Sequence, residues 1–165
     1  MLSQKARYAL RAMIELAREN GQVTAGELAE RADAPRKFLE AILLSLSRES
    51  LVISRRGKFG GYVLGRAPDQ ISFAEIIRLV DGPLALTPCV SRTAFRRCED
   101  CRDIATCALR EALLRARDAT AAVLEGYSLA APRPRGGAGR EGGGGRAPPR
   151  FNTPRQRGGP GGGAP

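Results

Sequence analysis

All four cysteines of this 165-residue chain, Cys89, Cys98, Cys101 and Cys107, fall in one stretch, and the chain has no histidine. The gaps between them are eight, two and five residues. Thiolates bunched in this way bind a metal or iron–sulfur centre, pair as disulfides, or sit as inert thiols. Inert burial fits poorly, because Arg92, Arg96, Arg97, Glu99, Asp100, Arg102 and Asp103 are interleaved, whereas structural cysteines favour apolar surroundings. Cys98-x2-Cys101 is a chelating spacing shared by zinc and iron–sulfur sites. Soft thiolates suit both, so the residue types leave zinc and a cluster open. A redox-active disulfide is the remaining rival.

The elements that must position this stretch come before and after it. Residues 4–18 read as an amphipathic helix, with Ala6, Ala9, Leu10, Met13, Leu16 and Ala17 at helical spacing and Asn20-Gly21 as the stop. A short helix opens at Thr24, where Glu27 completes a capping box, and turns Ala25, Leu28, Ala29 and Ala32 inward. Asp33 is expected to cap a third helix, with Pro35 in its first turn, running to about Ser47 on Phe38, Leu39, Ile42, Leu43 and Leu46. Two β-prone runs, Leu51–Arg56 and Tyr62–Leu64, flank a basic, glycine-rich turn. Three helices followed by a basic hairpin predict a winged helix-turn-helix.

A second capping box, Ser72 to Glu75, opens a helix through about Val80, and Asp81-Gly82-Pro83 stops it. From about Ile104 a long helix is expected, with Leu109, Ala112, Leu113, Ala116, Ala119 and Val123 in one stripe. That stripe reads either as core for the first helix or, by its length and regular spacing, as a dimer seam. The predicted fold class is mainly α: a DNA-binding winged helix over 1–82, a cysteine loop and dimerisation helix over 83–131, and a tail over 132–165. The tail is rich in Gly, Pro and Arg and is expected to be disordered.

In a helix-turn-helix the N-terminal residues of the second helix reach base edges in the major groove. This places Arg36, Lys37 and Glu40 outward: the first two suit guanine or phosphate, the third can accept from cytosine. The wing supplies Arg55, Arg56 and Lys58 for a narrow minor groove. The formal net charge is +10, of which the tail carries +6 and residues 1–131 only +4. The body is therefore mildly basic, and the placement of its charges matters more than their sum. No run is long enough for a membrane span and no signal-peptide pattern follows the N-terminus, so a cytoplasmic protein is expected, where clustered thiols favour metal. With no histidine, no nucleotide-binding glycine loop and no paired acid–base constellation, an enzyme is not expected. The basic wing argues against a bare iron–sulfur carrier.

The chain to about residue 130 resembles the IscR/NsrR-type (Rrf-two) family of bacterial winged-helix regulators. The likeness rests on Arg7–Met13, on Phe38-Leu39-Glu40, on Leu51-Val52 with Arg55–Tyr62 across the wing, and on Ile71-Ser72, Glu75–Ile77 and Val80–Gly82. The resemblance implies a homodimer formed through a long helix and bound to a pseudo-palindromic duplex DNA operator. It also implies an iron–sulfur cluster whose state controls operator binding, sensing iron, redox state or nitric oxide. In the family the last two of three cysteines are separated by five residues, as Cys101 and Cys107 are. The first is ambiguous between Cys89 and Cys98. Arg110 stands where some members have a ligating histidine, and Arg7 where others have an acidic ligand. The extra cysteine is then the simplest fourth ligand, giving all-thiolate ligation of a 2Fe–2S or 4Fe–4S cluster. A cluster-free regulator that switches by thiol oxidation or binds zinc is the alternative.

Overall fold

A computed structural model of the chain describes residues 2–19, 21–57 and 60–130. Helix α1 (Gln4–Arg18) starts where the Ser3 hydroxyl accepts from the Ala6 amide at 3.0 Å. Helix α2 (Ala25–Arg31) carries the expected capping box, with both the Thr24 and Glu27 side chains engaged. The Thr24 amide, which donates to it at 2.9 Å, holds the Glu27 carboxyl below its ordinary pKa. Helix α3 (Arg36–Arg48) follows after a tight reversal.

That reversal corrects the role assigned to Asp33. Its amide donates to Glu30 O (3.2 Å), the Ala34 amide donates to Ala29 O (2.9 Å), and Asp33 has φ 50°. This is a Schellman stop, so Asp33 ends α2 and does not cap α3. Pro35 is the residue ahead of α3, and no side chain caps that helix. Ser50 (φ 58°) ends α3 by the same device, with Leu51 N bonded to Leu46 O at 3.0 Å.

Strands β1 (Val52–Arg55) and β2 (Gly61–Leu64) pair antiparallel, with Val52 opposite Leu64 and Arg55 opposite Gly61. Val23 and Tyr62 exchange two further backbone bonds, 3.0 and 2.8 Å, which fasten the hairpin to the segment before α2. A Cβ on Gly61 would stand 2.7 Å from Val23 O, so this close approach requires glycine. Helix α4 (Phe73–Asp81) begins on Ser72, whose hydroxyl accepts from the Glu75 amide at 3.2 Å. Only half of the expected box is present there, because the Glu75 carboxylate turns to Arg66.

The core joins α1, α2, α3, β1 and α4 through Met13, Leu16, Leu28, Leu39, Ile42, Leu43, Leu46, Leu51, Val52, Ile71 and Ile76. Phe38, expected inside, is 43% exposed and meets the edge of Tyr8 with ring centroids 6.0 Å apart. It sits one residue before the buried Leu39, off the centre of the apolar face. A 3-10 turn at Pro88–Val90 precedes α5 (Ala108–Gly126), which starts four residues later than its apolar pattern implied. After α5 the chain returns to the core: Leu129 N bonds Ile71 O (3.0 Å), Phe73 N bonds Tyr127 O (2.9 Å), and Leu129 is buried. No helix among the described residues is long and apolar enough to cross a membrane. The tail 132–165 and Asn20 lie outside the described residues.

Candidate functional site

Two groups of candidate side chains stand on different parts of this frame. In the first, Arg36 and Lys37 occupy the first turn of α3 and are exposed. Glu40 is partly exposed and engaged: Arg36 Nε donates to its Oε1 at 3.0 Å. Such an exposed i,i+4 pair is weak and opens readily to a competing base or phosphate. Arg55 ends β1 and Arg56 follows it, both exposed, ahead of Gly57 at φ 120°. Lys58 lies outside the described residues. Leu51 and Val52, both in the core with Leu46, join the hairpin directly to α3. Helix α3 and the hairpin therefore share one packed base.

The second group is the cysteine stretch. Cys89 sits buried in the 3-10 turn, its Sγ 3.3 Å from the Thr87 hydroxyl. That hydroxyl lowers the Cys89 thiol pKa, and the neighbouring Cys89 raises that of Cys98. Two arginines of α5 hold the turn: Arg110 Nε donates to Cys89 O at 3.3 Å, and Arg117 Nη1 donates to Val90 O at 2.6 Å. Arg117 also pairs with Asp118 and depresses its pKa. Cys98 and Cys101 share a tight turn, with Cys101 N bonded to Cys98 O at 3.2 Å. Arg97 braces it by donating to the Cys101 and Arg102 carbonyls at 2.7 and 2.8 Å.

Asp103 accepts from Thr106 Oγ (2.6 Å) and from the Ala105 amide (3.0 Å), and the threonine contact keeps its carboxyl low. This local turn occupies the residues before Cys107 and explains the late start of α5, for which Cys107 is the N-cap. The result is a cavity of about 320 Å³ lined by all four cysteines together with Asp100, Arg102, Arg110 and Leu113. Among the described residues, no three thiol or carboxylate groups stand close enough as they are to hold a metal ion. The donor set is nonetheless wholly thiol, which suits an iron–sulfur cluster. Residues 91–107 carry no helix or strand, so no regular structure lies between Cys89 in its 3-10 turn and the three cysteines that follow.

Thr87 and Arg117 are the side chains that reading the sequence missed, and Arg110 was read only as a position that lacks a ligand. The seven-residue spacing of Arg110 and Arg117, two turns on one face of α5, is the signal that was available. The apolar stripe of α5 is largely exposed: Leu109 and Val123 are 66% and 59% exposed, Ala112, Ala116 and Ala119 are exposed too, and Leu113 is half-buried at the cysteine cavity. It is not core for α1.

A family model named Rrf2, described as an iron-dependent transcriptional regulator, matches residues 2–131. A curated HTH-type transcriptional regulator of Rhodobacter capsulatus, named rrf2-like, is 46% identical over 116 residues, covering 67% of this chain and 77% of that one. Among solved structures, CymR, titled the global cysteine regulator of B. subtilis, superposes with a TM-score of 0.64 at 35% identity, over 78% of this chain and 92% of its own. IscR of T. potens superposes with a TM-score of 0.62 at 26% identity, over 79% and 83% respectively.

Proposed function

The chain belongs to the Rrf2 family of transcriptional regulators, and from that premise we propose that it is a cytoplasmic homodimeric repressor controlled by a cysteine-ligated iron–sulfur cluster. Residues 1–82 form the DNA-binding part. Arg36, Lys37 and Glu40 enter the major groove of a pseudo-palindromic operator, and Arg55, Arg56 and Lys58 contact the minor groove. Residues 83–131 form the sensing part, in which α5 supplies the dimer seam through its exposed stripe. Burying that stripe against a second copy removes apolar area that otherwise faces water.

The observation that carries the sensing assignment is the single cavity onto which all four thiols open. Cys101 and Cys107 are the principal ligands, and Cys89 and Cys98 complete the set. When bound, the cluster supplies a centre that changes with iron, oxidant or nitric oxide. The protein's part is mechanical. Drawing four sulfurs together reshapes residues 91–107, and Arg110 and Arg117 couple the 88–90 turn to the seam helix. A local ligation event then biases the placement of the two DNA-binding parts. Anaerobic reconstitution of four single Cys→Ala proteins tests this through visible absorption and iron and sulfide counts. Cys101→Ala and Cys107→Ala should abolish the chromophore, and Cys89→Ala or Cys98→Ala should leave a labile remnant. A colourless parent holding one zinc would end the cluster assignment.

A cluster-free thiol switch or zinc site is the second reading. The lowered pKa of Cys89 beside Cys98 favours it, as does kinship with a relative titled a cysteine regulator.

A further inference from the structure

Arg7 and Arg11 lie one turn apart on the exposed face of α1. The Arg7 side chain forms no ion pair or hydrogen bond among the described residues. Arg11 is only loosely held: its Nη1 is 3.5 Å from Ala32 O and 3.9 Å from the Asp33 carboxylate, with side chains 53% and 97% exposed. A pair that open and that distant contributes little. Between the two arginines, Tyr8 accepts from Gln4 Nε2 at 2.8 Å and sets its ring against Phe38 in the first turn of α3. Gln4, Arg7, Tyr8, Arg11 and Asp33 line one shallow hollow, and Tyr8 and Asp33 also border the next hollow, which ends at Pro35 and Arg36. The basic face of α1 is therefore continuous with the start of the recognition helix.

Three acidic groups face this surface. Glu40 is taken up by Arg36 and Asp33 leans on Arg11, while Glu30 borders the second hollow. Arg7 on α1 and Lys37 on α3 are left with uncompensated charge.

We infer that Arg7 and Arg11 of α1 form a second, sequence-independent contact with operator DNA, gripping backbone phosphates beside the groove that α3 occupies. A guanidinium binds a phosphate bidentately, and the loose Asp33 contact lets Arg11 exchange a carboxylate for one. The inference rests on the DNA-binding assignment above and adds to it an element that neither the recognition helix nor the wing includes.

The test measures the dependence of Kd on salt for operator and random duplex, using the full chain and the variants Arg7→Gln, Arg11→Gln, Arg18→Gln and Arg56→Ala. Arg18 lies on the same helix, about 16 Å beyond Arg7 and about 10 Å beyond Arg11 at 1.5 Å per residue, and is paired with Glu15. It removes the same unit of charge without touching the proposed contact. Each lost phosphate contact lowers the log–log salt slope by about 0.9, so a fourfold rise in salt should cost each variant about 3.5-fold less than it costs the parent. Arg7→Gln and Arg11→Gln should show this on both duplexes, with the preference for operator retained and thermal unfolding unchanged. An unchanged slope in both variants, or an equal fall in Arg18→Gln, overturns the inference. If Arg56→Ala is silent as well, the DNA-binding assignment falls with it. If Arg56→Ala alone weakens binding, only the α1 contact is wrong.

Discussion

Between Gln4 and Asp81 the chain buries one continuous set of side chains, running from Ala9 and Met13 through Leu28, Leu39, Leu43 and Leu46 to Ile71 and Ile76. Between Gly82 and Cys107 it buries only Cys89, Val90 and Ser91. Polar tethers do in the second region what apolar contact does in the first: Arg110 and Arg117 on the 88–90 turn, Arg97 on Cys101, Asp103 on Thr106. Close packing is cooperative, so a defect in it is felt throughout the fold. A loop held by a few hydrogen bonds opens locally and is remodelled at modest cost. The DNA-reading surface proposed above would benefit from the first property, and the proposed gathering of four thiols from the second.

The largest way to break this contrast is Leu43→Ala. The side chain is fully buried, and its truncation should destabilise the protein by about 2–5 kcal/mol in urea unfolding. DNA binding and the cysteine cavity should be lost together as the fold melts. A cost below about 1 kcal/mol would mean that the first region is not the close-packed unit described here.

Arg117→Ala tests the other side. Its side chain is only 12% exposed, and losing a charged donor to Val90 O should cost roughly 1–2 kcal/mol. The loss should be local. Trypsin should cut faster at Arg92, Arg96, Arg97 and Arg102, while sites in α1–α3 keep their parental rate. Equal acceleration at all sites would show that the turn is part of the cooperative core.

What could be read from the chain beforehand follows the same division. The Thr24–Glu27 box, the Ser72 cap and the glycine-rich hairpin are local devices, decided by residues within a few positions of one another. They stand in the fold as expected, apart from the half-box at Ser72. The left-handed stops at Asp33 and Ser50 carry no glycine to announce them, so Asp33 reads as a cap for the wrong helix. Leu129 returns to the core from the far side of α5, and nothing local distinguishes it from the leucines that remain outside. The gathering of the cysteines around one hollow was legible from their clustering. The arginines that hold Cys89 and Val90 were not, because their partners are backbone carbonyls more than twenty residues away.

The smallest effect sharpens the packed side. Thr24→Ala should cost about 1 kcal/mol, as loss of a cap commonly does. The Glu27 carboxyl has a lower pKa folded than its ordinary value of 4.5. Its contribution is therefore full above that value and is lost as pH falls through the lower folded one. The stability gap between parent and Glu27→Gln should close over that acidic window and stay constant at neutral pH. A gap that widens in acid would reverse the assignment.

The central claim is that ligation by the four cysteines sets the DNA-binding state, and a coupled titration tests it most directly. Iron and sulfide are added anaerobically to apo-protein, and visible absorption and operator affinity are read from the same samples. Absorbance and affinity should change together and saturate at one cluster per chain, and Cys107→Ala should show neither change. Affinity that stays constant while the chromophore forms, or a parent that remains colourless under these conditions, would contradict it.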